Sequence, residues 1–259
     1  MHSRHLFHAL TPTALARKRL LTTRQARLTH ADMNRVSRAP GWPAVYCAWA
    51  AIAIATSLAL AGLNAESVTR VLVLAFLALQ LACRGFVVRA VAWMAPRTRF
   101  IVTGTLLAAI VEGVHMISTP VFLSLRVDRT TPVLRALENY GTDLAFTIPA
   151  YIVIFGVIWW CLTHYRFTTW RYVFVMALAQ TLGDGGLFFF ATSPGMVLFL
   201  PYPMTNYHAV NVVPYLSVRG ELPPSRRPHG SLVALVAVIA TYLACGAAIR
   251  LVGTALGYA

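Results

Sequence analysis

The chain is predicted to fold as an all-α, polytopic transmembrane helix bundle of about seven helices. Three observations carry that prediction. Of 259 residues, 58% are hydrophobic and only 12% charged, and the mean hydropathy is +0.65; a soluble domain of this size needs far more charge to cover its surface. The apolar residues gather into stretches close to the ~20 residues that cross a bilayer as a helix. The basic residues are spread unevenly about those stretches.

Residues 1–42 carry Arg4, Arg17, Lys18, Arg19, Arg24, Arg27, Arg35 and Arg38 against one acid, Asp32. No apolar core of signal-peptide type precedes Pro43. The segment reads as a basic tail, disordered or targeting, with an upstream start codon before Met33 as a third explanation; a cytoplasmic tail without catalytic function is favoured. Residues 43–259 read as a single transmembrane helical domain.

Seven spans are predicted near 43–63, 70–94, 100–125, 144–164, 171–192, 197–218 and 231–254. The sixth holds Pro201, Pro203 and Pro214. If it is re-entrant, the count falls to six, and such a segment is tolerated only where protein surrounds it. With the N-terminus inside, the inner segments hold the eight tail charges with Arg97, Arg99, Arg166, Arg171, Arg219, Arg226 and Arg227, and the outer ones hold Arg70, Arg126, Arg129 and Arg135. This asymmetry is the positive-inside pattern. Trp42, Trp93, Trp159, Trp160 and Trp170 fall near span ends, where aromatic belts belong. A chain that crosses repeatedly is an integral, multi-pass protein of a bacterial inner membrane or an organelle membrane.

Composition also excludes. The net charge of +14 would fit nucleic acid, but 8 of the 22 basic residues lie in the first 40 positions and most others border apolar runs. No nucleic-acid partner is expected. Lys18 is the only lysine, so no retinal-type Schiff base can form within the membrane. Cys47, Cys83, Cys161 and Cys245 fall in separate apolar segments without metal-type spacing and read as small buried hydrophobes. No internal repeat supports an inverted-repeat transporter.

The polar residues inside the spans locate the chemistry. A carboxylate at the bilayer centre costs roughly 2.5–3.5 kcal/mol on insertion scales, so it usually faces a bundle interior. Glu112 lies about 12 residues into the third span, roughly 18 Å from its inner end at 1.5 Å per residue, and Asp184 about as far into the fifth. Arg84 lies roughly 15 Å deep by the same rise and is the natural counter-ion for one acid. Glu112, His115 and Thr119 share one helical stripe, Gln180, Asp184 and Phe188 a second, and His208, Asn211 and Tyr215 a third. Gly183, Gly185 and Gly186 flank Asp184 and allow close approach of a backbone or ligand. Intramembrane amides such as Gln180, Asn206 and Asn211 also serve as ties between helices. Asp143 and Glu138 fall at the outer interface, where solvation is cheap, and Arg89 and Arg250 can snorkel.

Three chemistries use these residues. In the first, a buried carboxyl, whose neutral form a low dielectric favours, acts as general acid on a lipid-soluble substrate, and a second carboxylate stabilises a carbocation or accepts a proton. Here Glu112 and Asp184, with His115 and His208, are catalytic. Arg84, Gln180, Asn206, Asn211, Phe188, Tyr207 and Tyr215 contact substrate, the aromatic rings through cation–π stabilisation. No cofactor is needed, the partners are the bilayer and a small lipid-soluble substrate, and a homodimer is left open. In the second, Glu112, His115, Asp184 and His208 bind a metal; Glu112-Gly113-Val114-His115 has the E-x-x-H spacing of di-iron bundles, but only once. In the third, the acids and histidines relay protons in a transporter or in a non-catalytic subunit, where His115 and His208 are also placed to bind a haem.

Val111-Glu112-Gly113 in one helix, Gln180-Thr181-Leu182-Gly183-Asp184 with Phe188-Phe189 in a later one, and Asn206 to Pro214 beyond them resemble the EXPERA group, which includes the emopamil-binding sterol isomerases. The resemblance covers about 110 of 259 residues; weighing it above chance rests on the order of the pieces, since each is short. It implies a helix bundle with an intramembrane pocket in which acidic residues shift a double bond through a carbocation, with Glu112 as the acid of the group's His-x-x-x-Glu-Gly motif. Ala108 stands at that motif's histidine, and Asp143 is the acid nearest its second glutamate. Glu112 followed by Pro120 is also similar to the membrane-bound meroterpenoid cyclases, which imply protonation of an alkene or epoxide. The span 231–254 lacks their late acid.

Overall fold

A computed structural model describes residues 41–224, 227–228 and 230–258. The basic tail up to residue 40, with Lys18, and Arg226 of the inner charge count lie outside the described residues. The chain divides into two units, Met1–Tyr46, of which residues 41–46 are described, and Cys47–Ala259, which holds the bundle. Its regular elements are helices: α1 (Trp42–Ala61), α2 (Ala65–Ala82), α3 (Arg84–Ala90), α4 (Pro96–His115), α5 (Val133–His164), α6 (Thr169–Thr181), α7 (Leu187–Thr192), α8 (Pro201–Val218) and α9 (Ser231–Ala255). The fold is an all-α bundle. Counting α6 to α7 as one bent rod and leaving out the short α3, the described residues form seven long rods.

Local chemistry sets the boundaries. The Asn64 side chain caps α2 by accepting from the Ser67 amide at 2.9 Å, so the helix starts at Ala65 rather than near 70. It stops at Ala82, and Arg84 opens a separate short helix instead of continuing the predicted span to 94. Pro96 opens α4 at a first-turn position where no amide hydrogen bond is lost. Pro120 disfavours helical geometry in the residue before it, so α4 ends at His115 and not near 125. α5 runs 32 residues, from Val133 instead of 144. α8 is a continuous helix, because Pro201 and Pro203 both fall in its first turn; the predicted break at 197–218 is confined to a short 3₁₀ segment, Pro194–Phe199, before it.

Five rods are long and apolar enough to cross a membrane: Trp42–Ala61, Ala65–Ala82, Val133–His164, Thr169–Thr192 and Ser231–Ala255. The other two long helices, α4 and α8, pack on each other at the centre. α4 also packs on α2 and α5, α8 on α2 and α6, and α9 on α5 and α6. Polarity is inverted relative to a soluble protein. α2 buries Ser67, Thr69, Arg70 and Gln80, while Val68, Val71, Leu72, Leu79 and Leu81 stay exposed. Such a helix turns its apolar side to lipid and its polar side to neighbouring helices.

The two ends of the bundle are closed differently. At the predicted inner end, Arg99 is buried; it donates to the Ser217 carbonyl at 2.8 Å, the Met94 carbonyl at 2.9 Å and Glu221 at 2.7 Å. A charge counted from sequence as an exposed topology marker thus clamps α4 to the end of α8. At the other end, the 116–132 loop folds over the bundle. Phe122 stacks on Tyr258 at 5.5 Å and meets Phe146 edge-on at 4.9 Å. Asp143, expected at a solvated interface, is fully buried beneath this loop and accepts the Val121 amide at 2.8 Å. Farther along, hydrogen bonds from the Thr130 hydroxyl and amide and from Thr131 hold the Asp128 carboxyl below the usual carboxylate range.

Candidate functional site

The helix that carries Asp184 is broken at that residue. α6 gives way to a kink, Leu182–Gly186, before α7 begins, with Asp184 at φ −83°, ψ 36° and Gly185 at φ +94°, both outside helical geometry. The left-handed value at Gly185 strongly favours glycine. Gly183 is required for a different reason: a Cβ there would lie 2.5 Å from that of Tyr242. The Gly-Asp-Gly-Gly run therefore lets α9 approach closely and turns Asp184 out of the regular helix.

Two carboxylate–tyrosine pairs are built around this break. Tyr207, on α8, donates its hydroxyl to Asp184 Oδ2 at 2.5 Å. Tyr151, on α5, donates its hydroxyl to Glu112 Oε1 in the last turn of α4. Tyr242, on α9, lies within electrostatic reach of both acids. Its ring is edge-on to that of Tyr207 at 6.1 Å, and its hydroxyl donates to Gln180 Oε1 at 2.9 Å. Gln180 is itself fully buried and tied to the Met176 carbonyl at 3.2 Å. Glu112 lies within electrostatic reach of Asp184 and of all three tyrosines. The cluster is thus assembled from α4, α5, the end of α6, the kink after it, α8 and α9.

The cluster is open on one side. Glu112 and Tyr151 are half-buried, and Tyr207, Tyr242 and Gln180 are buried, but Asp184 and Gly185 are exposed. Beside them Leu187, Phe188 and Phe189 are exposed. The polar interior therefore reaches an apolar flank of the bundle at the helix break. Phe188, expected to contact substrate, is 64% exposed on that flank.

A second polar cluster lies one helical turn beyond Glu112, at the ends of α2, α4 and α8. His115 hydrogen-bonds Thr119 through Nδ1 at 2.9 Å, and the Asn206 amide and the Arg70 charge lie near its ring. Arg70 is buried, donates to Asn206 Oδ1 at 2.6 Å and packs over the Tyr202 ring at 4.5 Å. Glu112 and His115 therefore serve different clusters.

The remaining candidates are dispersed. His208 follows Tyr207 by one residue and so projects about 100° around α8 from it. Asn211 and Tyr215 lie deeper along α8: Asn211 donates to the Tyr207 carbonyl at 2.7 Å and accepts the Tyr172 hydroxyl at 3.2 Å, while Tyr215 stacks on Tyr172 at 4.1 Å. Arg84 is exposed and lines a recess with Arg219. It is not the counter-ion of either acid; the cation whose field reaches Asp184 is Arg250 on α9. The metal set Glu112, His115, Asp184 and His208 is not assembled, and among the described residues no three or more His, Cys, Asp or Glu side chains are grouped to hold an ion.

The chain matches no family model, no curated protein and no solved structure.

Tyr151 and Tyr242 were not among the residues the sequence marked, and Arg70 and Arg250 were read there as a topology charge and a snorkelling side chain instead of parts of a polar cluster. The signal for the two tyrosines was their depth: tyrosine prefers the membrane interfaces, yet Tyr242 lies near the middle of the 25-residue α9. Counting tyrosine with the apolar residues conceals that signal.

Proposed function

We propose that the protein is a multi-pass membrane enzyme, N-terminus inside, that protonates a carbon–carbon double bond of an isoprenoid- or sterol-like lipid and thereby isomerises or cyclises it. The observation that carries this reading is the pairing of Glu112 with Tyr151 and of Asp184 with Tyr207 in one cluster that opens onto an apolar flank. A substrate dissolved in the bilayer reaches such a site sideways, without leaving the membrane. The residues that resemble the EXPERA group, Glu112 and the Gln180 to Asp184 run, meet in the same cluster, which supports the same chemistry.

In this mechanism Glu112, in its acid form, gives its proton to one alkene carbon as the π bond is lost. Glu112 is left as a carboxylate that accepts the Tyr151 hydroxyl, and the neighbouring carbon becomes a cation. The rings of Tyr207 and Tyr242 stabilise that cation. Asp184, as a carboxylate, then removes a proton from an adjacent carbon, and the released electron pair forms the new double bond. In a cyclisation a second alkene of the substrate attacks the cation before that proton is lost. Asp184 then releases its proton to solvent and Glu112 takes one up from solvent, which closes the cycle with no net proton consumed.

The test is turnover in deuterated water with the purified protein in lipid nanodiscs and a panel of isoprenoid and sterol alkenes. Product carrying solvent deuterium on carbon is expected, and Glu112→Gln should lower the rate about 10²–10⁴-fold, the range of a general acid, with the helical spectrum unchanged. Full activity of Glu112→Gln would sink the mechanism.

A further inference from the structure

The second cluster contains a cation with unused donors. Arg70 directs Nη1 to Asn206 Oδ1 at 2.6 Å and to Thr205 Oγ1 at 3.5 Å. Its Nε is buried and forms no hydrogen bond among the described residues. Among the described residues Nη2 has only Glu66, an exposed side chain at 3.8 Å, a charge contact beyond hydrogen-bond length. The Nε–Nη2 edge is the side of a guanidinium that grips an oxyanion through two parallel N–H···O bonds. Here that edge makes a charge contact with Glu66 but no hydrogen bond among the described residues, on a residue only 5% exposed, where an unsatisfied charged donor is costly.

The surroundings fix the orientation of this edge. Asn206 holds the other face of the guanidinium and Tyr202 covers it at 4.5 Å, so Arg70 is preorganised instead of free to swing toward water. Asn206, Tyr202 and His115 are half-buried and Thr119 is exposed, so the cluster opens at the end of the bundle where α4 stops. Along α4, Glu112 and His115 are three residues apart, roughly 5 Å along the axis.

We infer that this mouth holds the phosphoryl head of an amphiphilic prenyl substrate on Arg70, with His115 and Thr119 beside it, while the prenyl chain runs toward Glu112 and Asp184. This assignment rests on the lipid-enzyme reading above and names its substrate class: a prenyl phosphate or diphosphate, and not a free prenol or sterol. A tetrahedral phosphoryl group fits because it offers two oxygens to the guanidinium fork and a third to the hydroxyl and imidazole donors beside it.

The test is calorimetric titration of the full-length chain in nanodiscs with farnesyl diphosphate, farnesol and inorganic diphosphate. Farnesyl diphosphate should bind at least tenfold more tightly than either of the others. Arg70→Gln should remove its advantage over farnesol, and Arg70→Lys should restore only part of it, since an ammonium lacks the fork. Equal binding of farnesyl diphosphate and farnesol by the unaltered chain overturns the inference without need of a variant. Inorganic diphosphate binding as tightly as farnesyl diphosphate also overturns it, by assigning the site to a free anion. The preference should persist in Glu112→Gln, so loss of the acid chemistry and loss of the head-group site are read separately.

Discussion

The pair α4 and α8 and the helices that surround it follow opposite rules. Twelve of the 18 residues of α8 are buried, against four of the 25 of α9. α9 is apolar on nearly every face and buries few of its residues, as a lipid-facing helix does. The central pair carries Arg99, Glu112, His115, Asn206, Tyr207 and Asn211, and it is these two long helices that fall outside the set apolar enough to cross a membrane by themselves. A helix with that many polar groups is stable at membrane depth only when neighbours satisfy them, so the apolar ring is what makes the polar pair tenable. The kink at Leu182–Gly186 is where the two regimes meet: Asp184 belongs to the ring by sequence and to the central cluster by its bond to Tyr207.

The strongest test of that division is at Asp184. Asp184→Asn should lower turnover about 100-fold or more, within the range of an acid–base group, whereas Tyr207→Phe, which keeps the carboxylate and removes its donor, should lose roughly tenfold, the rate equivalent of one hydrogen bond of about 1.4 kcal/mol. Steady-state rates on the same substrate check both. Equal losses would mean that the pair acts only as a structural tie between α6 and α8.

Next in size are effects on stability. Arg99→Ala should destabilise by about 3 kcal/mol, because it removes a buried cation and leaves the Ser217 and Met94 carbonyls without their donor. Glu221 is half exposed, so Glu221→Gln should cost less than about 1 kcal/mol. Glycines sharpen the contrast between the two regimes. A Cβ on Gly104 of α4 would lie 2.6 Å from the Phe155 ring, whereas one on Gly246 of α9 meets nothing within 4 Å. Gly104→Ala should therefore destabilise by about 1–3 kcal/mol, and Gly246→Ala should stabilise by about 0.5–1 kcal/mol. Thermal unfolding in detergent reads all four.

How much of this was legible beforehand follows from the same division. Periodicity and length found each helix of the apolar ring, since each carries its own signal, but misplaced the end of α2 and the start of α5. They also marked Glu112, Asp184, Gln180 and Tyr207, because polar groups are conspicuous against an apolar background. Which polar residues share a cluster was not legible. Glu112 and His115 share a helical stripe, yet the first meets α5 and the second approaches α2 and α8, because α4 lies between those neighbours. Asn211 and Tyr215 have the right spacing but the wrong depth, and engage Tyr172 instead. Stripe arguments fix the face of a helix and not which neighbour lies opposite it.

The smallest predicted effect concerns the two arginines that compete for the counter-ion role. From sequence depth, Arg84 stood level with the acids, but α2 ends at Ala82 and Arg84 starts a separate helix, exposed beside Arg219. Arg250 lies eight residues beyond Tyr242 on α9, about two turns along the helix, and its charge reaches Asp184. Because Arg250 is exposed, solvent and headgroups screen it, and its worth is that of a surface pair, about 0.5–1 kcal/mol. Arg250→Gln should therefore change turnover about two- to fivefold, while Arg84→Gln should leave it unchanged. The Arg250 effect should shrink as salt rises from about 0.01 M to 1 M, across which the Debye length falls from about 30 Å to 3 Å. A larger change for Arg84 than for Arg250 would mean that the inner recess, and not the helix break, is electrostatically coupled to the acids.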